Sequence, residues 1–146
     1  MDRQPPGNAE KQGMILVDTS VWIDFLNGMD SPERRTLHRL IADAEDMSIT
    51  GIILTEILQG IREDKDFRMT RDYLMAFPLY EPKGATYLNA AGIYRQCCKQ
   101  GKTVRSTVDC IIAAICLEND FTILHKDHDF DVIRECVGLK VLAAST

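Results

Sequence analysis

The sequence lacks a long hydrophobic run, an excess of positive charge, a metal-type cysteine pair and any repeat. Each absence closes off a class of protein. Of the 146 residues, 45% are hydrophobic and 27% charged, the composition of an ordinary globular chain. The longest apolar stretches are far too short to span a bilayer, so no membrane association is expected. The first thirteen residues, MDRQPPGNAEKQG, have no apolar centre of the kind a signal peptide needs, which argues against secretion. Five cysteines (Cys97, Cys98, Cys110, Cys116, Cys136) are an odd count without a CxxC pair. They read as reduced core residues of a cytoplasmic protein. The formal net charge of −5 argues against coating nucleic acid by bulk electrostatics.

What is present has the length of one domain with a core of its own. Residues 1–13, with Pro5-Pro6-Gly7, read as a disordered tail, and the domain is expected over 14–146. Ile15–Val17 reads as a short buried strand, followed by a helix from Val21 to about Leu26 that Gly28 stops. Ser31-Pro32 is an N-cap with proline at the first helical position, opening a helix toward Ala44. Further strands are expected at Met47–Ile49, Leu79–Tyr80, Phe121–Leu124 and Lys140–Ala143. Further helices are expected after Thr50, over Phe67–Ala76, over Ala85 to about Cys98, and over Ser106–Glu118. Strands alternating with helices predict an α/β sandwich around a parallel sheet.

In such folds ligands bind beyond the carboxyl ends of the strands. Asp18 ends the first strand in ILVDTSVWIDFL. It is either a turn or cap residue or a functional acid, and Ser20 is well placed to take the cap instead. Glu56, in GIILTEILQGI, lies at the edge of the apolar stripe formed by Ile53, Leu54, Ile57 and Ile61, with the small Gly60 one turn on. It is either a rim glutamate that snorkels to water or a site residue. Asp109 stands in the first turn of a helix that is apolar nearly all round. Ser106-x-x-Asp109 matches a capping box, which is its structural alternative. Asp127 and Asp129 fall in HKDHDF, read as a loop after a strand, where either could be a turn aspartate. His125 and His128 raise a zinc reading, but no cysteine lies near them in sequence and the spacing is not HExxH.

Each acid has a plain explanation alone; together they suggest one carboxylate cluster. Clustered carboxylates raise one another's pKa, and a hard divalent cation relieves the repulsion. Oxygen-only ligands favour magnesium or manganese, and the chemistry that follows is metal-assisted phosphodiester hydrolysis. Separately, YRQCCKQGKTVR carries Arg95, Lys99, Lys102 and Arg105 without an acid. It is either a solvated helix face or a local track for a nucleic-acid backbone.

Four segments, ILVDTSVWIDFL, ITGIILTEILQGI, RSTVDCIIAAICLEN and ILHKDHDFDVI, resemble the PIN-domain ribonucleases of the VapC toxin type. They occur in that family's order and spacing, over essentially all of residues 14–146. The resemblance implies a PIN-like three-layer sandwich with a mostly parallel central sheet flanked by helices. It implies a Mg2+- or Mn2+-dependent endoribonuclease with catalytic acids Asp18, Glu56, Asp109 and Asp127, of which Asp18, Asp109 and Asp127 would hold the metal. Asp129 would be a supporting acid, and Thr19 or Ser20 would orient the first carboxylate; for an RNA substrate, Lys99, Lys102 and Arg105 of the basic stretch are the candidate backbone contacts, a solvated face being the alternative. The resemblance also implies a cytoplasmic homodimer held inactive by a VapB-type antitoxin, which inserts a peptide toward the acidic pocket.

The alternative is a non-catalytic signalling module, a receiver-like phosphoacceptor domain. That fold wants paired acids after the first strand, where this chain has only Asp18. A haloacid-dehalogenase-like phosphatase wants a second aspartate two residues after the first, and Ser20 stands there.

Overall fold

The structure, a computed structural model, describes residues 13–144. The expected tail, residues 1–13, lies outside the described residues except for Gly13.

Ile15–Val17 (β1) has no polar side chain to show to water, and all three residues are 0% exposed. Successive strand residues point to opposite faces, so both faces of the sheet are covered here. β1 pairs in parallel with Met47–Thr50 (β2) on one side and Thr122–Leu124 (β4) on the other. Leu79–Tyr80 (β3) joins the far edge of β2, giving the all-parallel order β3-β2-β1-β4.

The helices fall into two packed groups. Thr19–Asn27 (α1), Pro32–Ala42 (α2), Gly51–Gln59 (α3) and Asp64–Leu74 (α4) form one. Gly84–Lys99 (α5), Thr107–Asn119 (α6) and His128–Val137 (α7) form the other. α6 is the most deeply buried, with Cys110 and Ile112 through Cys116 all nearly inaccessible. Trp22 of α1, 1% exposed, meets the rings of Phe25, Tyr73 and Phe77 and seals α1 to α4. Among the described residues no helix is long and apolar enough to cross a membrane.

Several expectations are corrected. The strand expected at Lys140–Ala143 is a single parallel bridge, Ile123 to Val141, flanked by Ile123 N–H to Lys140 C=O at 3.0 Å and Leu142 N–H to Ile123 C=O at 2.9 Å. β4 has only three residues, and the incoming chain runs beside just one of them. The loop expected at HKDHDF is the start of α7. Asp127 caps it by accepting from the Asp129 N–H, while Phe130 and Ile133 are buried and Val137 half-buried on one side. Their i, i+3, i+7 spacing is helical, but the surrounding charge hides it. α4 begins at Asp64 rather than at Phe67. All five cysteines are free, as expected, yet Cys98 is exposed and Cys136 half-buried rather than in the core.

Candidate active site

All strands run in parallel, so their carboxyl ends lie along one edge, and β1 and β4 are tied there by Asp18 N–H donating to the Leu124 carbonyl at 2.9 Å. α1 leaves β1 at this edge and α7 leaves β4. α6 returns toward the start of β4, so its first turn is at the edge too. Asp18 caps α1, Asp109 lies in the first turn of α6, Asp127 caps α7, and Asp129 lies in the first turn of α7. Three positive helix ends therefore meet at the acids and offset part of their charge.

The cap expected at Ser20 is corrected. Asp18, not Ser20, is the N-cap of α1: its Oδ2 accepts from the Ser20 N–H at 3.3 Å and from the Ser20 hydroxyl at 2.8 Å. Burial pushes the Asp18 pKa up, the Ser20 and Thr19 bonds oppose this, and Glu56 adds to the rise. Thr19 does not orient Asp18 through its hydroxyl. That hydroxyl donates to Glu56 Oε1 at 2.6 Å, fixing α3 against α1.

Asp109 is 6% exposed, and its Oδ2 has no hydrogen-bond partner among the described residues. Only half of the expected capping box forms: Ser106 Oγ accepts from the Asp109 N–H at 3.3 Å. The other half is taken, because Asp129 Oδ2 accepts from the N–H groups of both Ser106, at 3.0 Å, and Arg105, at 3.1 Å. Capping therefore leaves the Asp109 carboxyl free. Its pKa is pushed up to about 8, first by burial, then by a proton-requiring bond with the Asp127 carboxyl and by the charges of Asp127, Asp18 and Asp129.

Asp109, Asp127 and Asp129 bring one carboxylate oxygen each within 4.8 Å of one another, with Asp127 the most open to solvent. Among the described residues this is the group with metal-ligand spacing. Asp18 stands outside that ring, near enough for its charge to raise Asp109. The histidines do not join it. His125 is buried against Phe130, with a pKa lowered by burial, and His128 is exposed.

Glu56 stands at the other end of the site and lines a groove of about 580 Å³ with Ile23, Leu26, Ile57, Ile61 and Met69. None of the four aspartates lines that groove. Of the basic stretch, Lys102 is paired with Glu135 at 2.9 Å, while Lys99 and Arg105 are exposed. Two polar contributors escaped the sequence reading, Asp24 and Lys126. Asp24 is buried on α1 and accepts from Ser31 Oγ at 2.9 Å and from the Lys126 ammonium. An aspartate within the apolar run VWIDFL was the available signal.

The chain matches the family model described as PIN domain over residues 15–135. It is 34% identical over 129 residues to "Ribonuclease VapC11" of Mycobacterium tuberculosis, covering 87% of this chain and 96% of that one. Its fold is similar to that of VapBC2 from Rickettsia felis, solved bound to a DNA fragment from its promoter. There the TM-score is 0.69 at 14% identity, covering 88% of this chain and 97% of the other. FitAcB from Neisseria gonorrhoeae gives a TM-score of 0.69 at 20% identity, covering 89% and 97%.

Proposed function

Because the chain belongs to the PIN domain family, among the VapC-type ribonucleases, we propose that it is an endoribonuclease that requires Mg2+ or Mn2+ and acts as the toxin of a toxin–antitoxin pair. One observation carries the metal requirement: a buried Asp109 carboxyl with an unpartnered oxygen, facing two further carboxylates within 4.8 Å. An all-oxygen donor set of this charge favours a hard divalent cation over a softer one. Asp109 and Asp127 would hold the ion together with Asp18, and Asp129 would complete the ring. When bound, such an ion lowers the pKa of a water and offsets the charge that builds on the phosphate.

The chain's own residues supply the rest. Ser20 fixes the Asp18 carboxylate, and Asp129 holds the backbone of Arg105 and Ser106. Glu56, whose Oε1 accepts from the Thr19 hydroxyl, would orient the attacking water or accept its proton as the phosphodiester bond breaks. Lys99, Lys102 and Arg105 guide the RNA backbone toward the edge. The groove beside Glu56 joins apolar side chains to the acids Glu56, Glu63 and Asp66 and to Arg62, and would take a peptide of a VapB-type antitoxin whose cationic side chain reaches an acid there. A cytoplasmic homodimer completes the reading.

The test is cleavage of single-stranded RNA by the purified protein. Fragments are expected with magnesium or manganese chloride and none in excess EDTA. Undiminished cleavage in EDTA would overturn the metal requirement, and no cleavage under any condition would overturn the nuclease.

A further inference from the structure

Lys126 is bonded to α1 twice. Its backbone N–H donates to Ser20 Oγ at 3.3 Å, and its ammonium donates to Asp24 Oδ2. Ser20 and Asp24 are four residues apart, so they stand one above the other on the same face of the helix. A single residue thus grips one full turn of α1, by main chain at one end and side chain at the other. Each grip leads into the acidic site. The Ser20 hydroxyl in turn donates a hydrogen bond to Asp18 Oδ2 at 2.8 Å. Asp127 follows Lys126 directly and sets the start of α7 by accepting from the Asp129 N–H at 2.9 Å.

Asp24 is built to receive the ammonium. It is 7% exposed, and Ser31 Oγ supplies a second donor at 2.9 Å. Burial works to raise its pKa, but the Lys126 and Ser31 bonds outweigh it and leave it lowered, so Asp24 stays ionised. A charge pair of this kind adds little stability over apolar packing. Its geometry fixes position.

We propose that Lys126 is a positioning residue that, clamped to Asp24 and Ser20, fixes the start of α7, and with it Asp127, relative to α1 and so sets the affinity of the acidic cluster for a divalent cation. The proposal rests on the reading of that cluster as a metal site. A bare charge effect has the opposite sign. A cation beside the cluster repels the metal, so removing the Lys126 charge would tighten metal binding if repulsion were all it did. If Lys126 is a clamp, removing it loosens binding.

The test is titration calorimetry with manganese chloride and with magnesium chloride, without RNA, at a temperature where every variant is folded by its thermal melt. The Lys126 side chain is 36% exposed, so Lys126→Met opens no cavity. Lys126→Met and Asp24→Asn are each expected to weaken binding about tenfold, the usual cost of losing a partner behind a ligand. The double variant is expected to be no weaker than either, because the two groups act as one unit. Lys126→Arg should restore most of the affinity, and RNA cleavage by each variant should recover at saturating metal. Tighter or unchanged binding by Lys126→Met overturns the proposal. So does an unchanged metal affinity accompanied by a raised KM for RNA. Wild type that binds neither ion fails the metal reading itself. Wild type that binds while the variants bind equally well fails this proposal alone.

Discussion

The Ser106 backbone N–H donates to Asp129 Oδ2 at 3.0 Å, and this bond decides what Asp109 is free to do. A capping box on α6 needs the side chain at its third position to reach back to that same N–H. α7 brings a different carboxylate there. Ser106 keeps its own half of the motif, and Asp109 is left buried, with one carboxyl oxygen unpartnered and its side chain in reach of Asp127. Two short segments, 24 residues or so apart in sequence, are thereby locked together at the acidic edge.

Asp129 consequently has a structural duty separable from its charge. Asp129→Ala leaves two backbone N–H groups without their acceptor and is expected to cost about 1–3 kcal/mol in chemical denaturation. Asp129→Asn keeps an acceptor oxygen and should cost less. If the charge matters to the site, both variants lose cleavage to a similar degree despite their different stabilities. An asparagine variant as active as wild type would restrict Asp129 to holding the Arg105–Ser106 backbone.

The helix starts explain what the sequence disclosed and what it hid. The edge itself was legible: ILV followed at once by an acid, and a second acid soon after TIL, must lie at neighbouring strand ends once the sheet is parallel. The cap assignments were not, because Asp18 and Ser20 are equally good caps by type, and only the direction of the first turn decides between them. Thr19 to Glu56 spans 37 residues and Lys126 to Asp24 spans 102, so local pattern carries no trace of either. α7 was hidden because its two buried apolar residues, Phe130 and Ile133, stand among four charged ones.

Thr19 donates to Glu56 Oε1 across the two helices, and removing that hydroxyl should free the Glu56 carboxylate. Thr19→Val preserves shape and is expected to lower cleavage about tenfold, the scale seen when a group that orients a site residue is lost. Thr19→Ser should retain most of the activity. Full activity in the valine variant would show that Glu56 needs no holding, or no role.

The basic stretch makes a quantitative statement about salt. Each phosphate contact to single-stranded nucleic acid contributes about 0.7 to the slope of log affinity against log salt. Replacing Lys99 and Arg105 by glutamine should flatten the slope for RNA by about 1.4, the sum of two such contacts. Lys102→Gln should change it less, because Glu135 already offsets that charge at 2.9 Å. A slope untouched by all three changes would make this segment an ordinary solvated surface.

Asp109 ties the site to the pH dependence of stability. Its carboxyl holds a proton up to about 8, against an ordinary value of 3.8. Between those values the native chain keeps a proton that the unfolded chain has released. Native binding of the extra proton means stability falls as pH rises through this window, the reverse of an acid in a salt bridge. Magnesium bound at the proposed site would take the proton's place, so the stabilisation it gives should grow from about pH 5 to about pH 8. Asp109→Asn removes the titration. Without metal, the variant should show a flatter pH profile and be at least as stable as wild type at the alkaline end, and it should lose most of the gain from magnesium. A residue serving only the helix dipole would behave otherwise: the asparagine variant would be weaker by about 0.3–1 kcal/mol and keep the full magnesium gain. Thermal melts of both proteins across that pH range, with and without magnesium chloride, decide between the two.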